Sequence, residues 1–215
     1  MNLTQDRLLL VNKPLEWTSF DVVNKLRNQL KIKKIGHAGT LDPLATGLLI
    51  ICTGKFTKQI DTYLLQEKEY TGTFTLGRTT PSHDLETELT PAIQVTHLTA
   101  EQLQACRNKF IGTISQIPPL HSAIKVDGKR AYEFARKGLE RELKPREVVI
   151  SEIEWRIELP VIHFKIVCSK GTYIRSLARD VGQELGVGAY LSSLCRTRIG
   201  NFKLADAKTI EQVVE

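Results

Sequence analysis

Alternating apolar and charged residues predict a β-hairpin in the C-terminal half of the chain. Residues 152–159 alternate without a fault, and the apolar run 161–168 follows them after one proline. Such a pair of segments is typical of antiparallel strands with one buried face. Further strands are predicted at residues 7–11, 47–52 and 70–76. In the last of these Tyr70 shares a face with Phe74 and Leu76, and we expect that face to be buried.

Helices are predicted where apolar residues recur every three or four positions beside capping residues. They span residues 19–30, 131–137 and 173–185, and a fourth helix follows Thr99. Ser19 is predicted to cap the first helix, and Thr99 with Gln102 resembles a capping box. Gly138 and Gly186 are expected to end the helices that precede them.

Strands and helices are interspersed without the regular alternation that produces a parallel sheet, so the predicted fold class is α+β. The 215 residues contain no internal repeat, low-complexity segment or linker rich in Pro, Gly or Ser. A single domain over residues 1–215 is therefore the expected organisation.

The charge of the chain is uneven. Thirty Lys and Arg against 24 Asp and Glu give a net charge of +6 and a pI near 9.1, which slightly favours an anionic partner. Residues 125–146 hold eight basic and four acidic side chains, whereas residues 81–105 hold four acidic ones and no Lys or Arg. The basic stretch is either a solvated helix face or a phosphate-binding surface.

Several classes of protein are excluded by composition. No apolar run approaches the roughly 18 residues of a membrane span, and no signal peptide is recognisable, so we expect a cytoplasmic protein without a membrane partner. The four cysteines stand far apart, which predicts reduced thiols, mostly in the core, rather than a zinc site. The five histidines are isolated, and hydrolase, dinucleotide and phosphate-loop motifs are absent.

The densest group of residues with chemical potential lies between the first helix and an apolar strand. Residues 36–47 contain three glycines, a proline, a histidine and a carboxylate, which predicts a tightly shaped loop. Asp42 stands directly before Pro43, which favours an extended backbone at the aspartate. Asp42 is either a functional carboxylate or part of an Asx-Pro turn in which it caps the following element.

A second group lies at the junction of a strand and a helix, in residues 170–175. Arg175 is predicted just inside the helix, where it could reach a carboxylate on a facing loop and keep an aspartate ionised. The alternative is a surface arginine with Tyr173 in the core.

These segments and several others resemble the successive motifs of the TruB-type tRNA pseudouridine synthases. The motifs occur in family order and cover about Leu8 to Gly200. They are Val11-Asn12-Lys13-Pro14, Trp17-Thr18-Ser19, residues 36–47, Gln116-Ile117-Pro118-Pro119, Ser122-Ala123-Ile124-Lys125 with Gly128 and Tyr132, and Gly171-Thr172-Tyr173-Ile174-Arg175.

The resemblance implies the isomerisation of uridine 55 in the T loop of tRNA to pseudouridine. It implies a pseudouridine synthase fold, with a mixed, mainly antiparallel sheet flanked by helices and loops. Asp42 is then the catalytic nucleophile, Arg175 its salt-bridge partner, and Tyr70 the ring that stacks on the target uracil. The base must leave its stack, because the N1–C1′ bond breaks and C5 is joined to C1′. Whether the carboxylate adds at C6, adds at C1′ or assists elimination at C2′ is left open.

The resemblance also implies which residues contact the RNA. Tyr173 is expected beside the aspartate, Leu194 in the pocket wall, and His37 in the gap that the flipped base leaves. The other substrate-binding residues that it implies are Lys13, Lys125, Lys129 and Arg130. The expected partner is the T stem-loop of tRNA, bound by a monomer. No cofactor and no metal are implied, because the reaction involves neither redox change nor hydrolysis.

The chain departs from the family pattern in two places. His121 stands where the family usually has an aromatic residue, and many bacterial relatives continue beyond the equivalent of Glu215 into a PUA-type domain. We therefore expect no such C-terminal domain within residues 1–215. Two alternatives stay open: a non-catalytic RNA-binding or tRNA-folding protein on the same fold, and a synthase that acts on another RNA.

Overall fold

The computed structural model describes residues 6–122, 124–126, 128–135, 139 and 143–214. In chain order the strands are β1 (Leu8–Lys13), β2 (Ile35–Ala38), β3 (Ala45–Thr53), β4 (Lys68–Leu76), β5 (Gly112–Gln116), β6 (Lys125–Val126), β7 (Lys129–Arg130), β8 (Arg146–Glu158), β9 (Val161–Cys168), β10 (Ala189–Ile199) and β11 (Phe202–Lys203). The helices are α1 (Ser19–Leu30), α2 (Ile60–Leu65), α3 (Ala100–Lys109), α4 (Ala131–Ala135), α5 (Ile174–Glu184) and α6 (Ile210–Val214), with 3₁₀ helices at Gly54–Gln59 and Leu204–Asp206.

The described residues form two compact units. The first unit comprises those up to Thr71 together with those from Ser193 onward, and the second comprises Gly72–Ser192. The boundaries fall inside β4 and β10, so both strands contribute residues to both units. This division does not decide the prediction of one domain over residues 1–215, which stays a prediction. No helix in the described part of the chain is long and apolar enough to cross a membrane.

The first unit is built around β3, which is almost entirely apolar and buried. β1 and β2 pair with it in antiparallel fashion, and β10 pairs with it in parallel. Leu49 and Ile51 pack against buried side chains of α1 and α6, whereas Leu48 and Ile50 belong to a second cluster that includes Tyr63. Because both faces of β3 are covered, its residues have no reason to alternate, which explains the continuous apolar run in the sequence.

The second unit contains the predicted hairpin. β8 and β9 pair in antiparallel fashion, and β5 pairs with the other part of β8 in the same way. Ile153 is buried, but Ile157 and Leu159 near the end of the hairpin are 37% and 36% exposed. The buried face is therefore shorter than the alternation predicts. α5 turns Leu177 and Val181 inward, as the sequence pattern predicts.

The predicted α+β fold class is confirmed. Most strand pairs whose register is described are antiparallel, and β3 with β10 is a parallel pair, so the sheet is mixed and mainly antiparallel. All four cysteines are free, and Cys52, Cys106 and Cys168 are buried, which confirms the predicted core thiols.

Two helix predictions need correction or completion. α1 is capped by Thr18 rather than Ser19: Thr18 accepts a hydrogen bond from the Asp21 backbone, and the Asp21 side chain bonds back to the Thr18 backbone. The capping box of Thr99 and Gln102 is confirmed. α4 is described as Ala131–Ala135, and the predicted end of that helix, residues 136–138, lies outside the described residues.

Candidate active site

Asp42 lies in the first unit, on the loop that connects β2 to β3, and its side chain is half-buried. The backbone N–H of Ala45 donates to the carbonyl oxygen of Asp42 at 3.0 Å and closes a turn over Pro43 and Leu44. This bond uses the backbone of Asp42 and not its carboxylate. This backbone turn does not decide whether Asp42 caps the following element, so the Asx-Pro alternative stays a prediction.

Two side chains from α1 and β1 hold this loop. The hydroxyl of Ser19 accepts a hydrogen bond from the Leu41 backbone N–H at 2.8 Å. The ammonium of Lys13 donates to the carbonyls of Pro14, Trp17 and Pro43 at 2.8, 2.5 and 3.2 Å. The backbone on either side of Asp42 is thus fixed from the core of the unit.

Lys13 is fully buried, with 0% of its surface exposed. Burial lowers the pKa of Lys13 from 10.5 to about 8, although the nearby negative charge of Asp42 acts in the opposite direction. Lys13 was predicted to bind substrate. Its hydrogen bonds to backbone carbonyls support a role in positioning the Asp42 loop, and the predicted role in substrate binding stays a prediction.

Arg196 on β10 is a second buried cation in this unit, with 1% of its surface exposed. Its Nε donates to the carbonyl of Leu48 at 2.8 Å and its Nη2 to the carbonyl of Gly39 at 3.1 Å. A side chain at Gly47 would place its Cβ 2.4 Å from the Arg196 carbonyl oxygen, and Gly47 has φ +101°. Only glycine fits this close approach of β3 and β10.

His37 lies on β2 and pairs with Ile51 of β3. Burial first, and then the positive charge of Arg196, lower the pKa of His37 below its usual 6.5. The imidazole is therefore neutral at pH 7. Lys13, His37, Asp42 and Arg196 all belong to one electrostatic neighbourhood of the first unit.

Leu194 and Tyr70, the two predicted pocket residues, lie on neighbouring strands of the first unit. Leu194 on β10 is half-buried and pairs in register with Ala45, three residues after Asp42. Tyr70 lies on β4, the strand next to β10. Its ring is half-buried, whereas Phe74 on the same strand is fully buried.

Arg175 lies in the second unit, in the first turn of α5, and is only 3% exposed. The surface alternative for Arg175 is therefore wrong. Its Nη2 donates to the His121 carbonyl at 2.9 Å, its Nη1 donates to the Ser82 carbonyl at 3.2 Å, and its Nε is 3.5 Å from Asp84 Oδ2. Asp84 is also 3% exposed, so this is a buried ion pair.

The sequence pattern did not single out Asp84, because it is only one of the four acidic residues in the segment 81–105. The adjacent His83 has a left-handed backbone with φ 64°, which is uncommon for a residue other than glycine. Burial, followed by the charges of Arg179 and Arg175, lowers the pKa of His83 to about 4. The turn of Ser82, His83 and Asp84 is thus largely buried and lies beside the cations Arg175 and Arg179.

Tyr173 directly precedes α5 and is half-buried. Its backbone N–H donates to Gln116 Oε1 at 2.8 Å, and its backbone carbonyl accepts from Gln116 Nε2 at 3.1 Å. Ile117, the next residue after Gln116, accepts hydrogen bonds from Ser176 Oγ at 2.8 Å and Arg179 Nη2 at 3.0 Å. The motif that starts at Gln116 therefore holds the first two turns of α5.

The predicted phosphate-binding residues Lys125, Lys129 and Arg130 belong to the small hairpin of β6 and β7. Lys125 pairs in register with Arg130, and the connecting Gly128 has φ +80°. The predicted turn at residues 127–128 is consistent with this pairing, although Asp127 lies outside the described residues. Five further basic residues of the stretch follow the hairpin, at positions 136, 137, 141, 144 and 146, and the first three are outside the described part.

Among the described residues, no group of three or more His, Cys, Asp or Glu side chains could hold a metal ion. The chemically distinctive groups are instead a half-buried carboxylate on a fixed loop and a buried guanidinium at the start of a helix.

The comparisons with protein families match the chain in two parts. A family model described as TruB family pseudouridylate synthase (N terminal domain) matches residues 27–174. A model described as tRNA pseudouridylate synthase B C-terminal domain matches residues 175–215. Together the two models cover both units from α1 onward.

Curated relatives are similar over nearly the whole chain. A tRNA pseudouridine synthase B of Parabacteroides distasonis is 54% identical over 220 residues, which cover 99% of this chain and 94% of the relative. A protein of the same name from Flavobacterium johnsoniae is 52% identical over 211 residues, which cover 94% of this chain and 92% of the relative.

Two solved structures share the fold. The crystal structure of a Cbf5-Nop10-Gar1 complex contains a chain with a TM-score of 0.77 and 30% identity, covering 98% of this chain and 54% of that one. The structure of an H/ACA RNP bound to a substrate RNA containing 2′-deoxyuridine contains a chain with a TM-score of 0.72 and 27% identity. The match covers 98% of this chain and 52% of that one. This chain spans about half the length of both.

Proposed function

Because the chain belongs to the TruB family of pseudouridylate synthases, which are isomerases, we propose that its reaction is the conversion of uridine 55 in the T loop of tRNA to pseudouridine. The family and its curated relatives carry the assignment to tRNA pseudouridylation. The single observation that favours an active enzyme is the fixed loop around Asp42, whose backbone is held by Ser19 and Lys13.

Asp42 is the proposed nucleophile. Isomerisation requires an ionised carboxylate at a fixed distance from the base, and misplacement by about 1 Å can reduce a rate on the order of 100-fold. The buried ammonium of Lys13 lies within electrostatic reach of Asp42. The carboxylate adds at C6, adds at C1′ or assists elimination at C2′, and each course starts from the same ionised group.

Arg175 is the proposed salt-bridge partner of Asp42. Its burial supports this role, since a guanidinium in a dry environment interacts strongly with a carboxylate. The ion pair between Arg175 and Asp84 weakens the interaction of Arg175 with a second carboxylate. A guanidinium that is shared between two carboxylates suits catalysis. If Arg175 were bound to the catalytic carboxylate alone, it would keep that carboxylate ionised but reduce its nucleophilicity.

Tyr70, Leu194 and His37 are proposed to contact the flipped base and the RNA around it. A half-buried tyrosine offers an aromatic face on which a uracil can stack, and Tyr70 is also a candidate for removal of the C5 proton. An apolar wall at Leu194 would retain the detached base. His37 is neutral at pH 7, which suits a side chain that replaces an uncharged base within the RNA.

Phosphate contacts are proposed for two basic surfaces. One is the hairpin that carries Lys125, Lys129 and Arg130. The other lies in the first unit, where exposed lysines cluster around the segment after α1 and the following 3₁₀ helix, namely Lys33, Lys34, Lys55 and Lys58. Such contacts would fix the T stem-loop on a monomeric enzyme, whereas the splayed loop supplies sequence selection.

The decisive experiment compares Asp42→Asn with the wild type on a T stem-loop RNA labelled with tritium at uracil C5. We expect Asp42→Asn to reduce tritium release on the order of 10³-fold or more, as removal of a nucleophile does elsewhere, with RNA affinity retained. Asp61→Asn, which changes an exposed carboxylate of the same unit, is the matched control and should keep full activity.

The position of the product separates the remaining alternatives. Total tRNA from cells with and without the protein should differ in pseudouridine at position 55 alone. An active Asp42→Asn enzyme would exclude the proposed nucleophile. A wild type that binds the stem-loop without releasing tritium would indicate a non-catalytic RNA-binding protein, and release confined to another RNA would indicate a different substrate.

A further inference from the structure

We propose that Gln116 is a positioning residue of the active site, which caps α5 from outside and thereby fixes Tyr173 and Arg175. The proposal deepens the proposed function and rests on it. Gln116 is the last residue of β5 and is 2% exposed. Its amide bonds to both polar groups of the Tyr173 backbone, at 2.8 Å and 3.1 Å, although the two residues are 57 positions apart in sequence.

The start of α5 differs from that of the other two long helices. α1 and α3 each begin with a threonine and close a local capping box with a side chain three residues later. α5 has Tyr173 at its N-cap, which makes no side-chain capping bond. In a capping box, the third side chain of the helix accepts the N–H of the N-cap residue. At that position α5 has Ser176, and its hydroxyl donates to the Ile117 carbonyl instead.

Gln116, at the end of strand β5, supplies the acceptor that is missing from the first turn of α5. Its Oε1 accepts the Tyr173 N–H, as a glutamine or glutamate within the helix would. The arrangement leaves the N-cap position to an aromatic residue, which could not cap the helix with its own side chain. It therefore allows a tyrosine to stand two residues before Arg175, at the start of the helix.

The second bond restricts the choice of side chain. Gln116 Nε2 donates to the Tyr173 carbonyl, which also accepts the first helical hydrogen bond, from the Leu177 N–H at 3.1 Å. A carbonyl oxygen has two lone pairs and can accept both. A primary amide of this length provides the acceptor and the donor together, so neither an ionised glutamate nor an apolar residue can replace it.

The bonds of Gln116 affect the orientation of the Tyr173 and Arg175 side chains. Arg175 is bonded to the His121 and Ser82 carbonyls at its tip, and Tyr173 is fixed at its backbone by Gln116. Rotation of the first turn would move both side chains together. Loss of the Gln116 bonds should therefore slow the chemical step while leaving phosphate contacts, and hence RNA affinity, unchanged.

The test uses the full chain and two variants. Gln116→Leu removes both bonds at similar volume, and Gln116→Glu keeps the acceptor but loses the donor while it is ionised. Val148→Ala is the control, because Val148 is a buried residue of the neighbouring β8 strand that pairs with Ile114 and not with Gln116. Single-turnover pseudouridine formation, RNA affinity, and hydrogen exchange of the Tyr173 amide are measured for each.

For Gln116→Leu we expect a rate reduced about 10- to 100-fold at saturating enzyme, RNA affinity within about twofold, and faster exchange at Tyr173. Val148→Ala should lose thermal stability without these changes. Gln116→Glu should regain rate relative to the wild type as the pH falls, because the protonated carboxyl can again donate to the Tyr173 carbonyl. Burial raises the pKa of a carboxyl, which brings that recovery into an accessible range.

Each outcome decides the matter. A normal reaction rate in Gln116→Leu with fast hydrogen exchange at Tyr173 would show that the contact does not serve the reaction. Unchanged hydrogen exchange at Tyr173 would show that Gln116 does not protect this amide in solution. If Gln116→Leu fails to fold, the pH-dependent recovery of Gln116→Glu carries the test, and its absence overturns the proposal. A wild type that forms no pseudouridine would instead refute the proposed function, while exchange at Tyr173 would still report on Gln116.

Discussion

Asp42 and Arg175, which are proposed to act on the same base, are held in their two units by opposite electrostatic means. In the first unit the buried cations Lys13 and Arg196 support the Asp42 loop and donate to backbone carbonyls. In the second unit the buried cation is Arg175 itself, and a carboxylate, Asp84, lies 3.5 Å from it. The first site is supported by charge–dipole contacts, whereas the second combines such contacts, to the His121 and Ser82 carbonyls, with an ion pair.

The difference determines what a substitution leaves behind. Removal of a cation that bonds to carbonyls also removes the cost of burying its charge. Removal of the carboxylate from a buried ion pair leaves an arginine that cannot lose its own proton and that lacks the compensating charge which the carboxylate supplied. Substitutions in the second unit should therefore have the larger effect.

Asp84→Asn should have the largest effect of these substitutions. It preserves the shape of the side chain but removes the carboxylate charge that lies 3.5 Å from the buried Arg175, and breaking a buried pair costs about 3–5 kcal/mol. We expect a loss of that order in the free energy of unfolding, measured with urea, and a lower kcat with little change in RNA affinity.

Glu88→Gln is the matched control for Asp84→Asn. Glu88 belongs to the same acidic segment but is exposed, so its neutralisation should change stability by less than about 0.5 kcal/mol. Equal effects of the two substitutions would show that the acidic segment acts through its total charge and that the ion pair with Arg175 is unimportant.

Lys13→Met should have a smaller effect, about 2–3 kcal/mol, because the hydrogen bonds to three carbonyls are lost but a buried charge is also removed. The loop around Asp42 should become looser, so kcat should fall as well. Lys25→Met, on the exposed face of α1, is the control and should be nearly neutral.

The pH dependence of stability provides an independent check on Lys13. Its pKa is about 8 in the folded chain and 10.5 in its ordinary state, so between these values the unfolded chain binds more protons. Stability then rises with pH for this group. The stability of the wild type relative to Lys13→Met should therefore increase from pH 7.5 to pH 10, and a constant difference would contradict the burial of the ammonium.

Local patterns were sufficient to predict most of the fold. The alternation in β8 and β9 and the apolar run of β3 identify strands because each pattern reflects the faces that its own segment buries. The start of α1 was misjudged, since Thr18 and Ser19 are both capping residue types. The spacing of Thr18 and Asp21 is the signal that identifies Thr18 as the cap.

The supports of the site could not be predicted in this way. Ser19, Gln116 and Arg196 act through hydrogen bonds to residues 22, 57 and 157 positions away in sequence. No local period reports such contacts, because they arise only when strands and loops meet. The roles of Asp42 and Arg175 came from a family resemblance, which names functional residues but not what holds them.

The smallest expected effects compare two buried serines that each hold the backbone near a functional side chain. Ser19→Ala leaves the buried N–H of Leu41 without the hydroxyl that now accepts it at 2.8 Å, which should cost about 1–2 kcal/mol. Ser176→Ala should cost less, about 0.5–1 kcal/mol. The Ile117 carbonyl that it leaves is also bonded to Arg179, at 3.0 Å, and belongs to a residue that is 45% exposed.

The rates of Ser19→Ala and Ser176→Ala distinguish support of the Asp42 loop from support of the whole unit. If Ser19 positions Asp42, Ser19→Ala should reduce the single-turnover rate severalfold at a temperature where the protein is fully folded. Ser176→Ala should have almost no effect on that rate, because Gln116 still holds the start of α5. A larger loss of rate in Ser176→Ala would mean that the second unit depends on its hydroxyl contact more than on its ion pair, and would reverse the comparison between the two units.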